Sequence, residues 1–364
     1  MKLQVTQENL NKALSSVARV ASTRSTLPIL SNVLLKTVKN RLSVSATNLD
    51  IAVTHYIGSK VVSEGSITIP ARLMQDLVSN LPSGVIDLNL DDNKLHINSK
   101  MYKSVMNGVS SEDFPVMPAI EKGQTITLPA TSLKHSLSQV VIAASNDETR
   151  PVLTGIFFNS FNKNLYIVAT DGYRLAEKLL TKTEKETSIL VPASAISDLL
   201  RIIGDYSGDV SITYDEQQIL FAAGDIELTA RLIDGKYPDY RQLIPKKFTT
   251  TISLPKNDLN NITKVSALFA RESAGSITIN TSEEDQNISI HSIASQLGEN
   301  TATADAKVVG DGIVTMNSRY LLEALNVLEG DDVDVKFNGK LEPIVLSSKE
   351  SSSSYTHIIM PLKS

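Results

Sequence analysis

The chain has 364 residues, which is too long for one ordinary domain and suits two or three. It is 41% hydrophobic and 21% charged, as globular proteins are, and it has no cysteine, which excludes disulfides, thiol nucleophiles and cysteine-ligated metals. The net charge of −5 by itself argues against a nucleic-acid binder.

The first ten residues, MKLQVTQENL, alternate between polar and apolar side chains, so we expect no signal peptide. No apolar run approaches the length of a membrane span. Together with the lack of cysteine, this pattern predicts a cytoplasmic protein without a membrane partner.

A strand followed by an amphipathic helix is written six times along the chain, with spacings of 64, 59, 63, 63 and 62 residues. Each copy begins with alternating apolar residues, the period of a half-buried strand, and continues with helical spacing. In the third copy, TITLPATSLKHSLSQVV, the apolar residues from Leu133 to Val141 share one helix face. The copies align at Thr6, Pro70, Pro129, Pro192, Pro255 and Asn317.

A period of 123 residues overlies the shorter one, because Pro115, Pro238 and Pro361 are separated by 123 residues each. A hairpin is predicted after each even-numbered helix: VIDLNLDDNKLHIN, DVSITYDEQQILFAA and DVDVKFNGKLEPIVLS. Chance similarity is the alternative, but several landmarks share the one period. The sequence therefore predicts three tandem, similar α+β domains, each made of two strand–helix halves with antiparallel sheets. Turn-rich segments place them at residues 1–121, 122–247 and 248–364.

Three such domains in tandem form an arc with two exposed sheet edges, which promote aggregation unless something covers them. Head-to-tail pairing with a second copy closes the arc into a ring. The predicted helices carry a net charge of +3 if Arg19 is counted in the first helix, and the rest of the chain carries −8. Helices on one side of a ring thus make it mildly basic and attract phosphates without reading bases. The alternative is that these residues only decorate solvated helix faces.

Four segments carry a family resemblance: TLPILSN at 26–32, ATDGYRL at 169–175, YPDYRQLIP at 237–245 and IIMPL at 358–362. In this order and spacing, the whole chain closely resembles the bacterial DNA polymerase III beta subunits, the replicative sliding clamps. The resemblance implies a head-to-tail homodimer that closes a ring, with helices inside and antiparallel sheets outside. Such a ring encircles double-stranded DNA without sequence preference. It tethers the replicative polymerase alpha subunit and other clamp-binding-motif proteins, and a clamp loader places it on DNA.

The resemblance also implies a hydrophobic pocket for partner peptides between the second and third domains. Gly172 lets a backbone approach closely, and Met360 is a flexible apolar wall suited to several partners. The alternative for each leucine is an ordinary core position, and Gln242 stands where relatives often carry Arg. The residues carried over by motif are Leu153, Thr170, Gly172, Tyr173, Arg174, Leu175, Pro238, Gln242, Leu243, Asn317, Tyr320, Val345, Met360, Pro361 and Leu362.

Four arginines are the expected DNA contacts by resemblance: Arg24, Arg72, Arg150 and Arg201. The loop NDETRPV departs from relatives with polar and aromatic DNA contacts, since its two acidic residues repel phosphate, so only Arg150 is assigned there. The alternative for each arginine is a solvated surface position.

The resemblance places Met106 at the first dimer edge, with Leu268 and Phe269 packing against it from the other chain. The alternative is that all three are core residues of their own domains.

The sequence does not favour an enzyme. Its five histidines lack metal-ligand spacing, and there is no GxxxxGK[ST] loop, so we expect no catalytic site, no metal and no cofactor. A repeat scaffold that binds peptides without forming a ring remains the alternative function.

Overall fold

The structure is a computed structural model, and it describes residues 1–21, 27–296, 298–348 and 354–363. The chain divides into two compact units. Unit 1 comprises Met1–Lys134 and Ser194–Leu232, and unit 2 comprises His135–Ala193 and Ile233–Ser364.

The helices and strands follow one another in three similar series. The first series is β1 (Lys2–Thr6), α1 (Gln7–Val17), β2 (Asn32–Val38), β3 (Arg41–Thr47), β4 (Ile51–Gly58), β5 (Lys60–Ser63), β6 (Ser66–Pro70), α2 (Ala71–Asn80), β7 (Val85–Asp91), β8 (Lys94–Ser99) and β9 (Tyr102–Asn107). The second is β10 (Gln124–Pro129), α3 (Ala130–Val141), β11 (Gly155–Phe161), β12 (Asn164–Thr170), β13 (Arg174–Lys182), β14 (Ser188–Pro192), α4 (Ala193–Ile203), β15 (Asp209–Tyr214), β16 (Gln218–Ala223) and β17 (Ile226–Arg231). The third is β18 (Thr250–Pro255), α5 (Lys256–Phe269), β19 (Ser276–Ser282), β20 (Asn287–Ala294), β21 (Gly298–Asp305), β22 (Lys307–Val309), β23 (Gly312–Asn317), α6 (Ser318–Val327), β24 (Asp332–Phe337), β25 (Ile344–Ser347) and β26 (Tyr355–Ile359).

The six predicted strand–helix copies are confirmed, because each alignment residue is the last residue of a strand and directly precedes a helix. At two of these positions the side chain caps the helix. Thr6 accepts a hydrogen bond from the backbone N–H of Asn9, and Asn317 accepts one from the N–H of Arg319. Pro70 and Pro255 occupy the same N-cap position without a side-chain bond, so the proline stands one residue earlier than the first helical turn.

The predicted apolar face is buried on α4, whereas α5 leaves Val265 and Leu268 exposed. On α4, Ile196, Leu199 and Ile203 are at most 2% exposed, and full burial of such a side chain contributes about 1.5–3 kcal/mol. Arg19 lies beyond the end of α1, so the six helices carry seven basic and five acidic residues. Their net charge is therefore +2 rather than the predicted +3.

Unit 1 contains two antiparallel sheets. A five-stranded sheet has the order β5-β1-β7-β8-β9, and an eight-stranded sheet has the order β10-β15-β16-β17-β4-β3-β2-β6. In the larger sheet, β4 of the first series pairs with β17 of the second, with Val53 opposite Leu228.

Unit 2 also contains two antiparallel sheets. Its nine-stranded sheet has the order β14-β11-β12-β13-β26-β25-β24-β18-β22, and its four-stranded sheet has the order β21-β20-β19-β23. Here β13 of the second series pairs with β26 of the third, with Leu175 opposite Ile358. The same kind of strand pairing thus joins successive series in both units.

In part of the chain, the boundaries of the elements repeat with the 123-residue period without any offset. The short 3₁₀ helix Pro28–Ser31 and strands β2 and β3 recur as Pro151–Thr154, β11 and β12, each shifted by 123 positions. All three predicted hairpins are present, as the pairs β7–β8, β15–β16 and β24–β25.

One titratable group is completely buried in the nine-stranded sheet. His357 Nδ1 lies 3.0 Å from Tyr355 Oη, and the Tyr355 hydroxyl donates to Gln139 O at 3.1 Å. Burial, with a smaller effect of the Arg174 charge, lowers the pKa of His357 to about 3, so the imidazole stays neutral in the folded chain.

Because the pKa of His357 is depressed on folding, the unfolded chain binds a proton below about pH 6.5 that the folded chain cannot bind. Stability is therefore lost as the pH falls from 6.5 toward 3, by about 2 kcal/mol from this residue at pH 5. We expect His357→Gln to show a smaller decrease in urea midpoint between pH 7 and pH 5 than the parent, measured by circular dichroism. An equal decrease in both proteins contradicts this assignment.

Candidate functional site

Buried apolar side chains of unit 2 form one cluster where β12, β13, β25 and β26 lie side by side. Leu153, Leu175 and Val345 of the predicted pocket belong to it, and half-buried Met360 packs against it. These four side chains are far apart in the sequence, and the strand order brings them together. The buried members are Leu153, Val168, Leu175, Leu190, Tyr237, Tyr240, Val345 and Ile358.

The turn between β12 and β13 is fixed by its own side chains. The Thr170 hydroxyl donates to Arg174 O at 2.6 Å and accepts from the N–H of Gly172 at 3.1 Å. Gly172 has φ of 92°, a conformation that favours glycine. Asp171 Oδ1 accepts from the N–H groups of Tyr173 and Arg174. This network holds Tyr173 outward, 58% exposed, beside the cluster.

The chain terminus is held against this turn. The N–H of Met360 donates to Tyr173 O at 2.8 Å, and the N–H of Leu362 donates to Thr315 O at 2.8 Å. The side chains of Met360, Pro361 and Leu362 are half-buried. The terminal segment therefore continues the apolar surface that begins at Tyr173.

Arg174 is a structural cation and not a free group of the pocket rim. Its side chain is 8% exposed, and its Nε lies 3.0 Å from Asp171 Oδ2. Its Nη1 is also paired with Glu323, and its guanidinium lies 4.5 Å from the centre of the Tyr320 ring. The predicted pocket residues Arg174 and Tyr320 are thus brought together at α6.

The other predicted polar groups already have partners within the chain. Asn317 caps α6 and donates through Nδ2 to Ala274 O at 3.0 Å. Gln242 Nε2 donates to Asp239 Oδ2 at 2.6 Å. These polar groups therefore form hydrogen bonds within the chain, and Leu243, next to Gln242, is 47% exposed.

The contacts that anchor the segment 237–243 were not predicted from the sequence. Arg241 stacks on three rings, at 4.2 Å from the centre of Phe161, 4.7 Å from Tyr166 and 5.3 Å from Tyr240. Its Nη2 lies 3.2 Å from Glu177 Oε2, whose side chain is 11% exposed.

Tyr240 completes this anchor, since its hydroxyl donates to Glu177 Oε2 at 2.6 Å. Burial and the Glu177 charge raise the pKa of Tyr240, so the hydroxyl keeps its proton and remains a donor. Tyr237 stacks on Phe157 with ring centres 4.7 Å apart. The PDYR motif signalled this segment in the sequence, but its partners Phe161, Tyr166 and Glu177 carry no local signal.

Comparison with known proteins assigns the chain to a family. Three family models match in succession: DNA polymerase III beta subunit, N-terminal domain (residues 1–118), central domain (127–239) and C-terminal domain (241–363). The chain belongs to the DNA polymerase III beta subunit family. The fold and function predicted from the sequence are therefore confirmed: the family is the sliding clamp, a processivity factor and not a catalytic subunit.

Relatives and solved structures of this family match the whole chain. A beta sliding clamp from Synechococcus elongatus is 32% identical over 100% of this chain and 99% of its own length. The crystal structure of a sliding clamp from Bacillus subtilis superimposes with a TM-score of 0.95 at 26% identity, covering 100% of this chain and 99% of that one. A clamp from Bartonella birtlesii bound to griselimycin has a TM-score of 0.95 at 27% identity and covers 100% of both chains.

The structure places three of the four expected DNA contacts of this clamp, and Arg24 lies outside the described residues. Arg72 is exposed on α2. Arg201 is half-exposed on α4 and paired with Asp198 at 3.2 Å. Arg150 is paired with Asp147 at 3.5 Å, and its Nη1 would lie 3.5 Å from a Cβ atom added to Gly172. Arg150 therefore borders the pocket turn.

The expected dimer residues of the clamp differ in exposure. Leu268 is 53% exposed near the end of α5, and Phe269 is half-buried. Met106 is 6% exposed on edge strand β9, so its place at the dimer edge stays a prediction. Residues alternate in a strand, so the apolar side chain that edge strand β9 presents outward is its neighbour Val105, 57% exposed.

Among the described residues, no cluster of three His, Cys, Asp or Glu side chains is placed to hold a metal ion. Within the same ranges, no helix has the length and apolar character needed to cross a membrane.

The contacts of Arg241 can be tested by substitution. Arg241→Ala leaves Glu177 without its cation and removes three ring contacts, so we expect a loss of about 3 kcal/mol in unfolding free energy. Arg241→Lys should recover little, because an ammonium group lacks the planar surface that stacks on the rings. Urea unfolding of the two variants checks this. Full recovery by lysine would show that charge alone holds the segment.

Proposed function

We propose that the cluster around Leu153, Leu175 and Val345 is the floor of the pocket through which this clamp holds partner peptides. The apolar groups Tyr173 and Leu243 stand exposed beside it, and the terminal residues continue it. Solvent-exposed apolar groups over a rigid buried floor are typical of peptide-anchor sites.

The observation that carries this proposal is the internal pairing of the polar residues. Since Arg174, Asn317 and Gln242 are bonded within the chain, a partner gains affinity mainly by inserting apolar side chains. An apolar pocket that requires few hydrogen bonds from its ligand accepts peptides of several sequences. Such a pocket suits the polymerase alpha subunit, the clamp loader and other clamp-binding proteins.

Two exposed leucines provide a matched test of the pocket. We expect Leu243→Ala to weaken binding of the polymerase alpha subunit about tenfold, because burying a leucine contributes about 1.5–3 kcal/mol. Leu341→Ala is the control, since Leu341 is also exposed, at 67%, and lies outside the pocket set. Surface plasmon resonance measures both. Equal effects of the two substitutions, or none from Leu243→Ala, would remove Leu243 from the site.

The ring that the family forms requires a second copy, and the strand pairing between series indicates where it joins. Strand β21 occupies in the third series the position that β4 occupies in the first. Strand β9 occupies in the first series the position that β17 occupies in the second. Both β9 and β21 are edge strands here. We infer that β21 of one chain pairs with β9 of the other, as β4 pairs with β17.

The hairpin registers specify the residues in this proposed ladder. In the β4–β17 ladder, His55 lies opposite Ile226. Ala302 pairs with buried Ile290 as His55 pairs with buried Val44, and Tyr102 pairs with Ser99 as Ile226 pairs with Ala223. Tyr102 therefore lies opposite Ala302 of the second chain. Exposed Val265 and Leu268 on α5, which packs on β21, extend this interface with an apolar surface.

Contact with DNA is weak and independent of sequence in this proposal. The helices net +2 on a chain of net charge −5, so a few phosphate contacts hold the duplex without braking movement along it. Arg24, Arg72, Arg150 and Arg201 are the proposed contacts, although the ion pairs of Arg150 and Arg201 reduce their free charge. We place the protein in the cytoplasm, where bacterial replication occurs, and keep domain boundaries near residues 121 and 247.

Retention on circular DNA tests the function directly. Loaded onto a nicked circle, the clamp should stay bound at high salt and leave when the circle is linearised, because enclosure and not affinity holds it. For a scaffold that binds peptides without forming a ring, retention on circular and on linearised DNA should be the same.

The double substitution Leu268→Ala with Phe269→Ala is the control for this experiment. It removes apolar contacts of the proposed interface, so we expect monomers by sedimentation and no retention on the circle. Dimers that are retained as well as the parent would contradict the assignment of these residues.

A further inference from the structure

Unit 1 contains a cavity of about 490 Å³ that the clamp function does not use. One wall is the face of β2, β3, β4, β16 and β17, and the other is the connecting segment 114–120. Its size lies within the roughly 300–1,000 Å³ of small-molecule sites in proteins. The connector is tied down beside it, since Gln218 Nε2 donates to Pro118 O at 2.9 Å.

The internal repeat shows what this cavity lacks. In unit 2 the corresponding space is filled by Phe161, Tyr166, Tyr240 and Arg241, whose guanidinium is stacked within the three rings. The residues 123 positions earlier are smaller, and all of them line the cavity. They are Val38, Ser43, Met117 and Pro118.

The remaining lining agrees with this correspondence. Phe114, Ser45 and Ala52 line the cavity, and the residues 123 positions later are Tyr237, Val168 and Leu175 of the buried cluster. The same backbone framework therefore carries a packed aromatic core in one unit and an open space in the other.

The cavity also carries hydrogen-bonding groups along its walls. Ser45 Oγ lies 3.3 Å from Ser43 Oγ and 3.0 Å from Thr54 Oγ1, so the hydroxyls form a chain along one wall. Glu227 Oε2 accepts from the Tyr56 hydroxyl at 3.3 Å. A carboxylate has further acceptor positions, so Glu227 can take a second donor.

We propose that this cavity binds a small aromatic ligand that carries a hydrogen-bond donor. Its ring takes the space that the Tyr166 and Tyr240 rings fill in unit 2, between Phe114 and Met117 on the connector side and the small residues of β3. Its donor group faces Glu227 and the hydroxyl chain. This site is separate from the proposed peptide pocket and does not depend on it.

The probe is p-cresol, with toluene as the analogue that has the same ring without a hydroxyl. Met117 reports binding through its methyl resonance in the full-length protein, and Met117→Leu assigns that signal among the seven methionines. We expect a saturable shift of the Met117 signal with p-cresol and at least tenfold weaker binding of toluene. A shift that does not saturate, or equal binding of both compounds, overturns the proposal.

Variants that copy unit 2 provide the second arm. Val38→Phe with Ser43→Tyr fills the cavity, so the dissociation constant for p-cresol should rise at least tenfold. Ser63→Tyr adds a ring at an exposed position of β5 outside the cavity and should leave it unchanged. Unchanged affinity in the filled variant overturns the proposal.

A substitution that leaves the cavity open covers the case in which the filled variant fails to fold. Glu227→Ala should weaken p-cresol several-fold and leave toluene unaffected, because only the phenol donates to this carboxylate. Equal effects on both compounds would show that the carboxylate does not orient the ligand.

Discussion

The pairing of a strand from one series with a strand from the next is the constraint on which the rest of this clamp depends. Strand β4 pairs with β17 in unit 1, and β13 pairs with β26 in unit 2. Each pairing supplies hydrogen-bond partners for the backbone N–H and C=O groups of two strands, which otherwise form exposed sheet edges. It also brings Leu175 beside Ile358 and so assembles the floor of the proposed pocket from segments far apart in the chain. A series without a partner leaves its edge open, which is why β9 and β21 indicate a second copy.

One repeated framework has been filled in two ways. In unit 2, large side chains pack the connector tightly through Arg241 and Glu177, and the surface above it remains for partner peptides. In unit 1, a valine, a serine, a methionine and a proline stand at the corresponding positions, and a cavity remains. Differences in a few side chains on the same framework are thus enough to leave one connector tightly packed and the other beside a cavity.

The sequence predicted the elements well because their signals are local. A proline between an alternating strand and an amphipathic helix marks most of the copies, and Pro70 and Pro255 do stand at helix N-caps. Side-chain partners were not predictable in this way. Arg174 pairs with Glu323, 149 residues later, and Arg241 depends on rings of two other strands. Such contacts are set by strand order, which no local pattern contains.

The proposed joining of β9 and β21 can be measured by cross-linking, since the chain has no cysteine of its own. Opposite residues in an antiparallel ladder have Cβ atoms about 4.5–5.5 Å apart, within reach of a short thiol cross-linker. We expect Tyr102→Cys with Ala302→Cys to give a covalent dimer in high yield, and Tyr102→Cys with Asp305→Cys, roughly 10 Å out of register and on the opposite face of the strand, to give little. A double variant at Tyr102 and Ala302 that yields no covalent dimer, or no more than the offset pair, contradicts the proposed joining.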